Sequence, residues 1–212
     1  LPPSPKEAFR SFSNGAAQLI DLLKTPRDGN AKALFQAPKT ILNHRVTGAR
    51  RFAAQSWSMD RIRTVAKGYH ATVNDIVLAM CGGSLRDYLK SYDALPATPL
   101  VAQVPVSVRA ADADDDNGNA ISAVQVTLGT DIGHPVDRLR AIQESMKAAK
   151  HRLSSMEKAD LNAFTVLSNL PLMLGQATGL AGRRTTMFNV VISNVPGPKE
   201  PLYMHGAKML AN

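Results

Sequence analysis

The chain has 212 residues, of which 44% are hydrophobic and 20% are charged, a composition typical of a globular protein with one large domain or two small ones. Its formal net charge of +8 favours anionic partners, such as the phosphates of a cofactor or an acidic lipid surface. No basic run interleaved with aromatic residues and no zinc-finger or helix-turn-helix signature occurs, so we expect no nucleic-acid partner.

The first third of the chain carries two predicted helices and one predicted strand. An apolar stripe with a period near 3.6 residues predicts a helix over Lys6–Lys24. Arg51–Ser58 alternates between apolar and polar residues, which predicts a strand. Met59–Gly68 is predicted to form a short helix that Ser58 or Asp60 caps. We expect its inward face to carry Ile62, Val65 and Ala66.

The stretch Ala71–Tyr92 predicts one long amphipathic helix. Thr72 can cap its start, and Asp75 stands three residues later, as in a capping box. Gly82 and Gly83 are poor helix formers, so their presence indicates that another part of the protein packs close to this helix. The apolar stripe of this helix consists of Ile76, Val77, Met80, Cys81, Leu85, Tyr88 and Leu89.

Cys81 is the single cysteine, so the chain cannot form an internal disulfide. A lone thiol on the apolar face of a helix is typical of a buried, inert cysteine. We therefore expect a reducing, cytoplasmic setting. The sequence has no Cys/His spacing typical of a metal site, so no bound metal is expected. No secretory signal is recognised at the start of the sequence, in keeping with the expected cytoplasmic setting.

The middle of the chain predicts two strands and a helix. Leu100–Val108 is predicted to be a strand, and Pro105 within it favours a sheet edge, a bulge or a strand end. The acidic stretch Ala110–Gly118 lacks the ligand spacing of an EF-hand loop, so a solvated surface loop is expected. Asn119–Leu128 follows as the second strand, and Pro135–Leu153 has the period of a helix.

The last third contains an uncharged stretch and an apolar run. Leu161–Gly182 is long enough to cross a bilayer, but its polar residues and Pro171 favour two short buried helices. The continuous apolar run Met187–Ser193 predicts a strand at the centre of a sheet. Because strands and helices alternate along the chain, we predict an α/β fold with a mixed sheet and flanking helices.

Three short blocks occur in order along the chain: Asn-Asp-Ile-Val-Leu-Ala at 74–79, Val-Pro-Val-Ser-Val-Arg at 104–109, and Ser-Asn-Val-Pro-Gly-Pro at 193–198. Together they resemble the motifs of the bacterial wax ester synthase/diacylglycerol acyltransferase family, with Val108 in place of a leucine. The resemblance covers roughly residues 37–202. It implies the CoA-dependent acyltransferase fold, similar to chloramphenicol acetyltransferase, in which the reaction site lies in a tunnel between two halves.

The family's active-site motif, His-His-x-x-x-Asp-Gly, is absent, because none of the five histidines stands in that context. We therefore expect this chain to be the C-terminal half of a longer enzyme, with the catalytic histidine on a missing N-terminal half and no catalytic residue of its own. Residues 1–36 would be a linker and helix from the connection between the halves. Residues 37–212 would form the C-terminal acyltransferase subdomain, incomplete at its end.

The predicted site residues lie at a helix start and at strand ends. The residues expected to support the active site are Asn74, Asp75, Ser107, Arg109 and Asn119, and those expected to line the substrate tunnel are Ser193 and Asn194. Asn74 could orient a substrate oxygen or only cap its helix. Arg109 could hold Asp75 or a cofactor phosphate. The family often has a Leu-Asn block near Asn43, so that loop could face the cofactor. Basic residues that could meet CoA phosphates or form a solvated face are Arg50, Arg51, Arg183 and Arg184.

The resemblance implies an acyl-CoA-dependent O-acyltransferase that esterifies long-chain alcohols or diacylglycerol, as in wax ester or triacylglycerol synthesis. Acyl-CoA would be a substrate, and no permanently bound cofactor is expected. The expected partners are the N-terminal half and, at the periphery, a membrane or lipid-body surface. Two alternatives stay open: a non-catalytic half that binds lipid or a partner, and a peptide-condensation relative that uses carrier-bound thioesters.

Overall fold

A computed structural model describes residues 37–44, 47–107, 121–154, 187–195, 197 and 200–209, together with positions 6, 10, 12–14 and 17. The isolated early positions are helical, in agreement with the helix predicted over Lys6–Lys24. The predictions for the acidic loop and for Leu161–Gly182 lie outside the described residues. No helix in the described ranges combines the length and hydropathy of a membrane span.

Three α-helices and five strands make up the described part, with a short 3-10 helix before them at Ile41–Asn43. The helices are α1 (Met59–Gly68), α2 (Val73–Ser91) and α3 (Pro135–Ser154). The strands are β1 (Val101–Ser107), β2 (Ile121–Thr127), β3 (Val190–Val191), β4 (Tyr203–Met204) and β5 (Ala207–Lys208). The helix bounds agree closely with those that the sequence predicts. The small antiparallel hairpin of β4 and β5 is an addition that the sequence did not indicate.

The main sheet is mixed, as predicted, with the strand order β2-β1-β3. β1 pairs antiparallel with β2 along its whole length and parallel with β3 at Ala102 and Gln103. Pro105 lies beyond the residues that pair with β3, so its missing N–H removes no bond on that side, consistent with a strand end.

The prediction of a central strand over Met187–Ser193 is wrong. Only Val190–Val191 pairs, and among the described strands it lies at the edge of the sheet, while β1 occupies the centre. The side chain of Val191 is 59% exposed, so the apolar run does not become a fully buried strand. Its earlier residues turn instead, and Asn189 takes over the backbone contacts to β1.

One face of the sheet and two helices enclose the core. The sheet contributes Ala102, Val104, Val124 and Val126, which pair across β1 and β2 and are all buried. The helices contribute Leu78 and Leu89 of α2 and Ile142, Met146, Ala149 and Leu153 of α3. The opposite face of the sheet carries the half-buried pair of Gln103 and Gln125. The alternation predicted for the strands therefore has its apolar side against the helices.

The segment 51–58 forms no strand, so the prediction for Arg51–Ser58 is wrong. All of its residues are exposed, and Phe52 is 92% exposed, because no described strand lies beside it. Ser58 caps α1, as predicted, by accepting a hydrogen bond from the Arg61 amide at 3.4 Å. On α1 itself Ala66 is buried and Ile62 half-buried, but Val65 is exposed, since only one narrow face of α1 packs against the rest of the protein.

The glycines of α2 permit a close approach between this helix and the end of β2. A Cβ atom at Gly82 would lie 2.5 Å from the Leu128 carbonyl oxygen, and one at Gly83 would lie 3.2 Å from the Arg138 guanidinium. The predicted stripe of α2 is correct at Ile76 and Leu89, which are buried, whereas Tyr88 is 45% exposed. The double glycine thus marks a real contact, and it sets how α2 lies on the sheet.

We expect Gly82→Ala to lower stability. The added methyl group would meet a backbone carbonyl that cannot swing away, and overpacking of this kind costs about 1–3 kcal/mol. The gain in helix propensity offsets about 1 kcal/mol of this cost. Thermal melting followed by circular dichroism should show a lower Tm than for the parent chain.

Gly68→Ala provides the matched control, because a Cβ at Gly68 meets nothing within 4 Å. This variant should melt at or slightly above the parent temperature. If both variants melt alike, close packing at Gly82 is not what the double glycine provides.

Candidate functional site

The start of α2 is built by a reciprocal capping box. The Thr72 hydroxyl accepts a hydrogen bond from the Asp75 amide at 3.2 Å. The Asp75 Oδ2 atom accepts from the Thr72 amide at 2.9 Å and from the Thr72 hydroxyl at 2.7 Å. Asp75 is only 6% exposed, and its charge lies at the positive end of the helix dipole. Its carboxylate therefore stabilises the helix start, as the sequence predicted.

Asn74 differs from its two neighbours. It is half-buried, and its carboxamide makes no hydrogen bond with any described residue. A buried or half-buried amide without a partner costs free energy unless a ligand or another part of the protein supplies one. The capping box orders the backbone on both sides of Asn74, so its side chain projects from a fixed point at the helix start.

The other predicted site residues are described only in part. Ser107 is the last residue of β1 and pairs with Ile121, but its side chain lies outside the described part. Arg109 and Asn119 lie outside the described residues altogether. Ser193 and Asn194 follow β3 and are exposed. Because β1 and β3 are parallel, Ser107 and Ser193 stand at the same edge of the sheet.

A groove of about 440 Å³ runs between the start of α2 and the second half of α3. It is lined by Thr72, Asp75, Gln143, Met146, Lys147, Lys150, His151 and Ser154. Gln143 closes one end, since its amide donates to the carbonyls of His70 at 3.2 Å and Tyr69 at 3.5 Å. The sequence indicated Lys147, Lys150 and His151 only as a complement to the dipole of α3. Their position opposite the capping box depends on how the two helices pack, which no local pattern encodes.

A buried asparagine that the sequence did not single out joins three segments. The Asn189 side chain accepts from the Val101 amide at 2.9 Å and donates to the Pro38 carbonyl at 2.7 Å and to the Asn43 Oδ1 atom at 2.8 Å. Asn43 also donates to the Phe188 carbonyl at 3.4 Å. The loop around Asn43, which could have faced a cofactor, is thus tied to the segment before β3.

Two arginines hold the loop between β2 and α3. Arg86 of α2 donates to the Thr130 carbonyl, and Arg138 of α3 donates to the Ile132 carbonyl at 3.0 Å. Arg138 is buried, and its Nε atom has no hydrogen-bond partner in the described part. Arg50, one of the basic residues considered for CoA phosphates, is exposed and donates to the carbonyls of its own loop.

The described residues contain no group of three or more His, Cys, Asp or Glu side chains that could hold a metal ion. Cys81 is half-buried, and burial raises the pKa of its thiol. Cys81 therefore lacks the features of an activated nucleophile.

Comparisons with known proteins identify the family of the chain. The wax ester synthase/diacylglycerol acyltransferase catalytic-domain profile matches residues 5–77, and the WS/DGAT C-terminal-domain profile matches residues 117–212. The chain belongs to the wax ester synthase/diacylglycerol acyltransferase family. The Asn-Asp block at 74–79 falls where the first match ends.

Individual relatives extend over most of the chain. A putative diacylglycerol O-acyltransferase of Mycobacterium tuberculosis is 50% identical over 178 residues, which are 84% of this chain and 40% of that protein. The O-acyltransferase WSD of Acinetobacter baylyi is 45% identical over 175 residues, which are 82% of this chain and 38% of that protein. The chain thus spans about 40% of the length of these curated relatives.

A solved structure shows the same fold. The wax ester synthase/diacylglycerol acyltransferase from Marinobacter aquaeolei VT8 matches with a TM-score of 0.70 and 38% sequence identity, over all of this chain and 44% of that chain. The predicted fold class, a mixed sheet with flanking helices of the acyltransferase type, is confirmed.

We expect Asp75→Ala to destabilise this family member. The change removes the cap of α2 and leaves the Thr72 amide without a partner, which together cost about 1–3 kcal/mol. Chemical denaturation should show a lower midpoint with an unchanged slope. Asp87→Ala, an exposed carboxylate on the same helix, is the control and should change stability by less than about 0.5 kcal/mol. Equal effects of the two changes would contradict a specific role of the capping box.

We expect Cys81 to react slowly with a thiol reagent. Because burial raises its pKa, the thiolate fraction near neutral pH is smaller than that of an ordinary cysteine. With Ellman's reagent at neutral pH the folded protein should react more slowly than glutathione, and unfolding in guanidinium should restore the ordinary rate. Fast labelling of the folded protein would show that the thiol is neither shielded nor weakly acidic.

Proposed function

We propose that this chain forms part of an acyl-CoA-dependent O-acyltransferase, which joins a fatty acyl group to the hydroxyl of a long-chain alcohol or of diacylglycerol. The observation that carries the proposal is the 45–50% identity, over more than four fifths of the chain, to proteins named O-acyltransferases. The products would be wax esters or triacylglycerols.

The reaction needs a base, donors to the developing oxyanion and a dry channel. The alcohol oxygen attacks the thioester carbonyl carbon, the C–S bond breaks, and the alcohol proton passes through the base to the leaving CoA thiolate. This chain holds no His-His-x-x-x-Asp-Gly motif, so we assign the base to a histidine on another part of the enzyme. No acyl-enzyme is required.

The role that we assign to this chain is orientation and enclosure. In this proposal the carboxamide of Asn74, which has no hydrogen-bond partner among the described residues, binds a substrate oxygen or the loop that carries the base. Asp75 contributes indirectly, because it fixes the helix start and with it the position of Asn74.

Exposed apolar side chains support a second half as the partner. Phe52 is 92% exposed, Trp57 54%, Val191 59% and Val195 76%. Large apolar side chains exposed in this way can mark surfaces that another part of a protein covers. We propose that the remainder of the enzyme covers them, and that the positive net charge favours a peripheral position on an anionic membrane or lipid body in the cytoplasm.

The test uses the full-length enzyme with palmitoyl-CoA and either hexadecanol or dipalmitoylglycerol. Asn74→Ala should lower kcat by about 10²–10³, the usual effect of losing a hydrogen bond to a reacting oxygen, while the Tm stays near that of the parent. Asn189→Ala is the contrasting variant: it removes a buried structural amide and should lower the Tm more than kcat.

The chain 1–212 by itself should be inactive in the same assay. Turnover by this chain comparable to that of the full-length enzyme would contradict our placement of the base. Near-normal kcat in Asn74→Ala would show that Asn74 is structural. Full-length enzyme without any ester product would contradict the proposed function and favour a non-catalytic, lipid-binding role.

A further inference from the structure

We propose that the groove between α2 and α3 binds the phosphate groups of acyl-CoA through Lys147, Lys150 and His151. The inference rests on the proposed function, because it takes acyl-CoA as the substrate. It adds a site to that function: the nucleotide end of the substrate would lie in this groove, next to the turn that carries Asn74.

The three basic side chains gather on one turn of α3. Lys147 lies three residues before Lys150 and four before His151, so all three share one helix face and line the same groove. Like charges at this spacing destabilise a helix. Within the described part, none of these side chains forms an ion pair or a hydrogen bond that would offset the repulsion. An anionic ligand would supply the missing partner.

The opposite wall carries one carboxylate, and hydrogen bonds and the helix dipole offset part of its negative charge. Asp75 is the single carboxylate in the lining, and it is 6% exposed with its Oδ2 atom held by two donors from Thr72. The first turn of α2 forms this wall, so the positive end of the helix dipole is directed at the groove. The basic wall formed by α3 therefore favours a phosphate oxygen, and the capped start of α2 reduces the repulsion from Asp75.

The shape and polarity of the groove favour a nucleotide over a membrane surface. Its volume of about 440 Å³ is in the range of small-molecule sites. Met146 is the one apolar residue in the lining and is 3% exposed, so the groove has no protruding apolar side chain that could insert between lipids.

The test compares the double variant Lys147→Gln/Lys150→Gln with the parent in the full-length enzyme. The KM for palmitoyl-CoA should rise about tenfold or more, as expected for the loss of charge-assisted contacts, with kcat little changed. Palmitoyl-pantetheine lacks the phosphates, so its KM should be the same for variant and parent. The control Lys90→Gln/Lys208→Gln removes the same charge from two exposed lysines outside the groove and should leave both KM values unchanged.

Several outcomes would overturn the inference. These are an unchanged KM for palmitoyl-CoA in the groove variant, an equal rise in the control, and an equal rise with palmitoyl-pantetheine. Sedimentation with phosphatidylserine vesicles is the further arm: a groove variant that loses vesicle binding but keeps its KM would assign the lysines to lipid headgroups instead.

Calorimetric titration with CoA separates the inference from the proposed function. If the parent enzyme makes no ester but binds CoA, and the groove variant binds CoA more weakly, the result supports CoA binding in the groove and contradicts the proposed reaction. If the parent makes ester and the groove variant binds CoA equally well, the reaction stands and the groove is wrong. A parent that neither makes ester nor binds CoA overturns both.

Discussion

The close approach of Gly82 to the Leu128 carbonyl holds α2 against the end of β2 with no side chain between them. A helix this near to the sheet has little freedom to slide or turn, so the position of its first turn is set by a contact several residues away. The capping box of Thr72 and Asp75 then fixes the backbone conformation of the first turn of α2. These two constraints determine the position of the Asn74 backbone and of the α2 wall of the groove between α2 and α3.

The sequence predicts those parts of the fold that depend on neighbouring residues. The three helices follow from spacing and glycine placement, and the structure has them where they were predicted, with the predicted N-caps Ser58 on α1 and Thr72 on α2. The strand predicted over Arg51–Ser58 failed because alternation shows only that a strand can form, whereas pairing needs a partner strand. The prediction of a central strand over Met187–Ser193 failed for a similar reason. An apolar run shows that a strand can be buried, but its place in the sheet depends on which strands lie on either side of it.

In the candidate site, too, the features that depend on neighbouring residues could be predicted, and those that depend on distant contacts could not. Asp75 could be assigned to the helix cap from the sequence because Thr72 stands three residues before it. The surroundings of the Asn74 amide could not be predicted, because its lack of a hydrogen-bond partner among the described residues is a property of the three-dimensional fold. The groove depends on the packing of α2 against α3, and the role of Asn189 depends on the return of a distant segment to Val101. Family motifs located the region of the site without giving these contacts.

The order of assembly follows from the connectivity of the central strand. β1 and β2 and the helices α2 and α3 all come from one continuous stretch, 73–154, whereas the bond from Val101 to Asn189 joins residues 88 positions apart. Closing the longer loop costs more chain entropy and comes after the local contacts that reward it. We therefore expect β3 to dock after β1 and β2 have paired, and until it docks one edge of β1 lacks this partner strand. An unpaired strand edge can form hydrogen bonds with a strand of another molecule. By covering this edge of β1, Asn189 and β3 therefore reduce the tendency of the sheet to associate with a second chain.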